Sequence, residues 1–222
     1  MLLGLAGACL LTTLVTPGCN YVGAAYFIAV GPDKIKAVHT LEPTRPTVVF
    51  VDDRDNRLPR RTLRAVVAET ATKFMLENDV LTKTPAGEVA AIDGRAALTA
   101  ATRDRFGEPM SVAAIGNACN AEVVIHVVFE TFTLSQDNAT FSPSARLRVK
   151  VIDAANQKRL FPLGNDAAGY PIDMVLKQRV NDLPSNNAEL LAAQEQLAKE
   201  AGRAVAEMFY EHAAPSRDRA SK

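Results

Sequence analysis

Six residues, Thr47-Val-Val-Phe-Val-Asp52, form a short β-branched apolar block, the kind of run that fills a buried strand. A polar turn follows at Asp52, Asp53, Asp55 and Asn56, and Pro59 suits the first turn of a helix. Between Arg60 and Asn78 the apolar positions are Leu63, Val66, Val67, Phe74 and Leu76, with Ala71 between, and the spacing of 63, 66, 67 and 74 keeps one stripe at helical period. Arg60, Arg64, Glu69, Lys73 and Glu77 take the other faces, which predicts one amphipathic helix packed on a sheet. The stretch Val80 to Ile92 breaks at Pro85-Ala86-Gly87 and predicts one or two short strands. Asp93 caps a helix that reaches about Arg105, and Pro109 opens a second, shorter helix that runs through Ala118.

The strongest strand signal is Glu122 to Leu134. A polar loop over Ser135 to Ser142 leads from it into Ala145 to Asp153. In this second strand Ala145, Leu147, Val149 and Val151 alternate with Arg146, Arg148 and Lys150. Such a pair reads as an antiparallel hairpin with one covered face and one wet one. Ala154 to Lys158 is a turn, Arg159 to Pro162 predicts a third short strand, and Leu163 to Ser185, rich in Gly and Pro, reads mainly as loop. Asn186, with Glu189 three residues on, forms a capping box. It opens a helix to about His212 whose apolar face is Leu190, Leu197, Ala201, Val205, Met208 and Phe209. The fold class is α/β with α+β character: one mixed sheet with an antiparallel hairpin, helices packed on it and a long C-terminal helix.

Ahead of this pattern, Met1 to Cys19 is an apolar stretch ending in Thr16-Pro17-Gly18-Cys19. It reads as an export segment cut before Cys19, whose thiol is then acylated. Each acyl methylene buried in a membrane contributes about 0.8 kcal/mol. This divides the chain into a lipoprotein signal peptide (1–18), a lipidated tether (19–46) broken by Pro32, Pro43 and Pro46, an α/β domain (47–213) and a disordered polar tail (214–222). The alternative is a transmembrane anchor. The charge-free run from Leu2 to Gly31 exceeds the roughly 20 residues that cross a bilayer, although Pro17 would kink such a helix. Both readings put the domain outside the cytoplasm.

Lys plus Arg and Asp plus Glu balance at 25 each, which argues against a nucleic-acid partner. Once Cys9 is removed with the leader and Cys19 is acylated, Cys119 is alone, so the domain has no internal disulfide and Cys119 reads as a small buried hydrophobe. The three histidines, His39, His126 and His212, stand in no His-x-x-x-His pair and there is no Cys-x-x-Cys, so no zinc site is implied. No phosphate-binding glycine loop or nucleophile elbow occurs, and no cofactor is expected.

The acidic turn Asp52, Asp53 and Asp55 is the one weak candidate for a metal, because carboxylates at the carboxyl end of a central strand are where α/β proteins place sites. Asp and Asn are favoured in turns for local reasons too, and Arg54 and Arg57 offset the charge. His126, between Ile125 and Val127, is expected to project from the less buried sheet face. The row Arg146, Arg148 and Lys150 reads as a solvated face, with Glu130 as a partner across the hairpin.

Three segments carry a family resemblance: Thr47 to Asp53 before the Arg60–Asn78 helix, Ala113 to Ile125 where a helix feeds a strand through a small-residue turn, and Ala145 to Ala154. Over roughly residues 47–213 the order of elements resembles the α/β domain of bacterial envelope lipoproteins. That group includes the penicillin-binding-protein activator lipoproteins, the curli-secretion lipoprotein and the N-terminal domain of the translocation protein TolB. The resemblance implies a non-enzymatic role, docking onto an envelope protein or assembling into a ring, with the membrane reached through the lipid on Cys19. Two other readings stand beside it: an exported metal-dependent hydrolase using the Asp52–Asp55 turn with His126, and a small-ligand module between the sheet and its helices.

Overall fold

The computed structural model describes residues 34–103, 109–137, 140–164, 166–176 and 183–214; the leader, Cys19, the tether up to Asp33 and the tail from Pro215 lie outside the described residues. The elements in chain order are β1 (Lys34–Ile35), β2 (Thr47–Asp52), α1 (Thr62–Glu77), β3 (Ala91–Ile92), α2 (Gly94–Arg103), α3 (Val112–Ala118), β4 (Val123–Thr133), β5 (Ser144–Asp153), β6 (Lys158–Phe161), β7 (Tyr170–Val175), α4 (Asn187–Glu207) and β8 (His212–Ala213).

Strands β2 to β7 form one mixed sheet in the order β3-β2-β4-β5-β6, with β7 also paired to β5. β2 runs parallel to β3 and to β4, whereas β4 and β5 form the expected antiparallel hairpin. β6 and β7 share the far side of β5, β7 along Ser144–Val149 and β6 along Val151–Asp153. Alternation divides the strand residues between two cores. Val49, Val51, Ile125, Val127, Leu147 and Val149 face α1 and α4 in the larger cluster. Val48, Phe50 and Val124 face α2 and α3 through Ala97, Ala100 and Ile115. The architecture is therefore the mixed α/β sheet with packed helices and a long C-terminal helix that the pattern predicts.

Several boundaries differ from the sequence reading, each for a physical reason. Residues ahead of Thr47, from Lys34 on, already pack on the domain. β1 pairs with β8, the Val38 and His39 amides both donate to the Met208 carbonyl, and Leu41 is buried. In α1 the buried positions are Leu63, Val67, Ala68, Ala71 and Met75, while Val66 and Phe74 are only partly covered. The buried stripe follows the i, i+4 row on which α4 packs. Pro59 lies ahead of that helix, which starts after Arg61. α3 opens at Ser111 rather than Pro109, because the Ser111 hydroxyl accepts from the Ala114 amide at 3.2 Å.

The Leu163–Ser185 stretch contains β7, which the Gly and Pro content concealed. Tyr170, Ile172 and Met174 pack inward, and Pro171, Asp173 and Val175 are exposed. Pro171 is tolerated because, among the described residues, β7 pairs with β5 alone. At its start Gly169, at φ 104°, passes against the Val149 carbonyl. α4 begins as expected: the Glu189 amide donates to Asn186 Oδ1 at 2.9 Å, and the Glu189 carboxylate accepts from the Ser185 amide at 2.8 Å. It ends at Glu207, before His212, which belongs to β8. No helix among the described residues is long and apolar enough to cross a membrane.

Candidate functional site

The parallel pairing of β2 with β4 sets Phe50 opposite His126 and Asp52 opposite Val128. Val48, Phe50 and Asp52 share the face that α2 and α3 cover, and so do Val124 and His126. His126 is on the second face as expected, yet it is not solvated there: it is only 8% exposed. Its ring stacks on Phe50 with centroids 5.8 Å apart at 16°, and Nε2 lies 3.2 Å from Asp52 Oδ2. The other Asp52 oxygen is 3.2 Å from Arg54 Nε. Burial pushes the Asp52 carboxyl up, but the bond to His126 and the charge of Arg54 outweigh it and hold the group below the usual carboxylate range.

Asp53 closes its own loop. The Arg57 amide donates to Oδ1 at 2.6 Å, and the Leu58 amide lies 3.3 Å from both oxygens. Two amide donors therefore satisfy a carboxylate that is 9% exposed. Asp55 is exposed in the turn, and Asn56 takes a positive φ of 51° beside it. The weak metal candidates Asp52, Asp53 and Asp55 do not converge, and the described residues hold no group of three or more His, Cys, Asp or Glu placed for a metal. His39 and His212 lie elsewhere, His39 stacked on Phe161 with centroids 4.9 Å apart and His212 near Tyr210. Cys119 is half-buried; its Sγ donates to the Ile115 carbonyl at 3.0 Å, and burial pushes its thiol up.

Asp52 also borders a cavity of about 220 Å³. Phe50, Ile115, Met110, Ala101 and Thr102 are among the residues that line it. Asp52, Asp53, Arg54 and Arg64 are its charged lining residues. Arg54 reaches across to the Met110 carbonyl at 3.3 Å. Arg64, in the first turn of α1, is the residue that sequence reasoning leaves on a solvated face. Its Nε is shielded from solvent and has no hydrogen-bond partner, and it joins no ion pair among the described residues. The signal that could have marked it is the start of α1 itself, which has Arg60, Arg61 and Arg64 where acidic residues are favoured and no acid in its first turn.

On the wet part of the same sheet face the basic row is largely neutralised. Arg148 Nε donates to Glu130 at 2.8 Å, as the hairpin predicted, and Arg146 pairs with Asp173 of β7.

No protein-family model matches the chain, and no curated protein matches it in sequence. Among solved structures, the PelC dodecamer from Paraburkholderia phytofirmans is 9% identical, with 80% of this chain and 97% of that chain covered, at a TM-score of 0.42. The hypothetical protein CT253 from Chlamydia trachomatis is 18% identical, with 78% and 98% covered, at a TM-score of 0.37. The lipoprotein GNA1162 from Neisseria meningitidis is 11% identical, with 72% and 95% covered, at a TM-score of 0.34. These scores lie below the level at which a common fold or function follows.

Proposed function

We propose that this chain is a lipid-anchored protein of the bacterial envelope that works through contact with another protein and performs no bond chemistry of its own. The observation that carries the reading is the run Met1 to Cys19, apolar and charge-free after the amino group, with Gly18 directly before the cysteine. The condition of the acidic turn supports the second half. Asp53 is occupied by backbone amides and both oxygens of Asp52 are engaged, by His126 and by Arg54. A general base needs an oxygen or nitrogen free to reach a substrate proton. The finer resemblance to the penicillin-binding-protein activator, curli-secretion and TolB group belongs to this proposal, as does docking or ring assembly as its mode of action.

The hydrolase alternative draws on one contact, Asp52 with His126. Beside that pair the cavity wall offers Thr102 as its only described hydroxyl or thiol, a weak nucleophile without a base aimed at it.

The test is the variant Cys19→Ser in the full chain. The wild type is expected in the detergent-extracted membrane fraction and labelled by radioactive palmitate, and the variant in the soluble fraction without label. A variant that stays in membranes would replace lipidation with the transmembrane reading. Crosslinking of the lipidated protein in intact cells should yield a discrete envelope partner or a homo-oligomeric ladder. Turnover of an ester or phosphoester substrate abolished by His126→Ala would overturn the non-catalytic half.

A further inference from the structure

Ile35 and Val38 are exposed, at 41% and 39%, on a backbone that is pinned to the domain. β1 holds Ile35 against His212 of β8, and the Val38 and His39 amides donate to the Met208 carbonyl at 2.8 and 3.1 Å. Ala37 and His39, which flank Val38, are partly buried, and the His39 ring stacks on Phe161. The two apolar side chains therefore stay exposed on a segment that cannot roll over to cover them. Lys34 and Lys36 stand on either side of Ile35. Lys34 pairs with Glu211 at 2.8 Å, and Lys36 joins no ion pair among the described residues. Single exposed aliphatic residues are ordinary; the sequence just ahead sets these apart. Tyr21 to Val30 is charge-free, includes Tyr21, Tyr26 and Phe27, and starts two residues after Cys19. Aromatic residues of this kind favour the boundary between lipid and water. Gly31, Pro32 and Asp33 alone separate the run from Lys34, and the span from Val30 to Lys34 is at most about 14 Å.

We infer that residues 34–38 are a membrane-contact surface, on which Ile35 and Val38 enter the lipid boundary and Lys36 meets anionic headgroups. The inference rests on the lipid-anchor reading, which puts Cys19 at the bilayer, and extends it from the anchor to the folded domain. With the apolar run from Tyr21 in the same bilayer, the short span that follows holds Lys34 at headgroup depth. Apolar side chains beside lysines seat in this way at an anionic surface. A protein partner would have to reach Ile35 and Val38 through the headgroup layer, whereas lipid is already there.

The chain contains no Trp, so Val38→Trp places a single fluorophore on this surface. The full chain is produced in bacteria, purified in detergent and reconstituted into phosphatidylethanolamine–phosphatidylglycerol vesicles, with or without bromine on the acyl chains near the headgroup. Emission of the Val38→Trp variant should shift to the blue and be largely quenched by the brominated lipid. Ile35→Trp repeats the measurement should the first substitution disturb the fold. Leu190→Trp is the control: Leu190 is also exposed and stands at the other end of α4 from Met208, roughly 25 Å away along the helix. Its emission should stay red and unquenched, and quenching equal to that of Val38→Trp would overturn the surface. Lys36→Glu added to Val38→Trp should weaken the quenching; an unchanged value would overturn the headgroup contact. Palmitate labelling of the same preparation separates this inference from the anchor. A labelled, membrane-bound Val38→Trp variant with neither shift nor quenching would overturn the surface and leave the anchor standing. Quenching without label would support the surface and replace lipidation with the transmembrane reading. A blue shift without quenching would mean that protein covers Ile35 and Val38, which overturns the lipid assignment.

Discussion

Asp53 commits both carboxylate oxygens to the backbone of its own loop, and its neighbour Asp52 commits both of its oxygens to side chains. In the sequence the two are a single acidic turn. They separate because successive residues of a strand point to opposite faces, so Asp52 follows Phe50 onto the face of His126 while Asp53 leaves the sheet. Which histidine meets Asp52 depends on the β2–β4 register, a pairing between residues 74 positions apart that no local pattern contains. Local chemistry could predict the Asp53 loop; it could not predict the Asp52–His126 pair. Asp53→Ala should leave the Arg57 and Leu58 amides short of an acceptor and lower stability by about 1–2 kcal/mol, as read by urea denaturation. Metal content measured by elemental analysis should be the same in variant and wild type; loss of a stoichiometric ion would make the turn a metal site after all.

At the scale of elements, the contact between α1 and α4 decides which residues are buried. Gly202 sits in the middle of α4 where a Cβ would lie 2.5 Å from the Val67 carbonyl oxygen and 2.8 Å from Thr70 Cβ. In an exposed helix interior, Gly→Ala stabilises by about 1 kcal/mol. Here the obstacle is backbone, which cannot swing away, so Gly202→Ala should instead destabilise by about 1–3 kcal/mol. The sign of the change in thermal midpoint tests the close approach, since a stabilised variant would mean the helices stand further apart. The same contact explains why the apolar stripe of α1 was only partly legible. Leu63, Val67 and Ala71 were recoverable from period alone, but Met75 in place of Leu76 follows from α4 lying along one row of the helix. β7 was obscured in another way: its inward alternation of Tyr170, Ile172 and Met174 is plain once Gly169 and Pro171 are understood as features of a sheet edge.

In the whole molecule, residues 34–46 are a strap rather than a tether, and nearly every contact that holds them is remote in sequence. Few apolar residues and two prolines gave no local sign of this; the information lies in β8, Met208 and Asp153. Arg45 is the strongest link, donating to Asp153 at 2.9 Å and to Glu122 at 2.9 Å. Asp153 is 5% exposed. Its carboxyl is held below the ordinary range first by the Asn156 amide, 2.8 Å away, and then by Arg45. An acid whose folded value is lowered stabilises fully above its unfolded value of about 3.9, and that contribution fades as pH falls through the folded value. Asp153→Asn keeps an acceptor for the Asn156 amide but loses the charge that seats Arg45. It should cost about 2 kcal/mol at pH 7, and the gap to the wild type should narrow once the pH drops below about 4. Urea denaturation of both proteins at pH 7, 5 and 3 measures it, together with proteolysis near Arg45 as a readout of strap release. A gap equally wide at pH 3 and pH 7 would mean that Asp153 holds its loop alone and that the strap is seated by β1, Leu41 and the Met208 carbonyl instead.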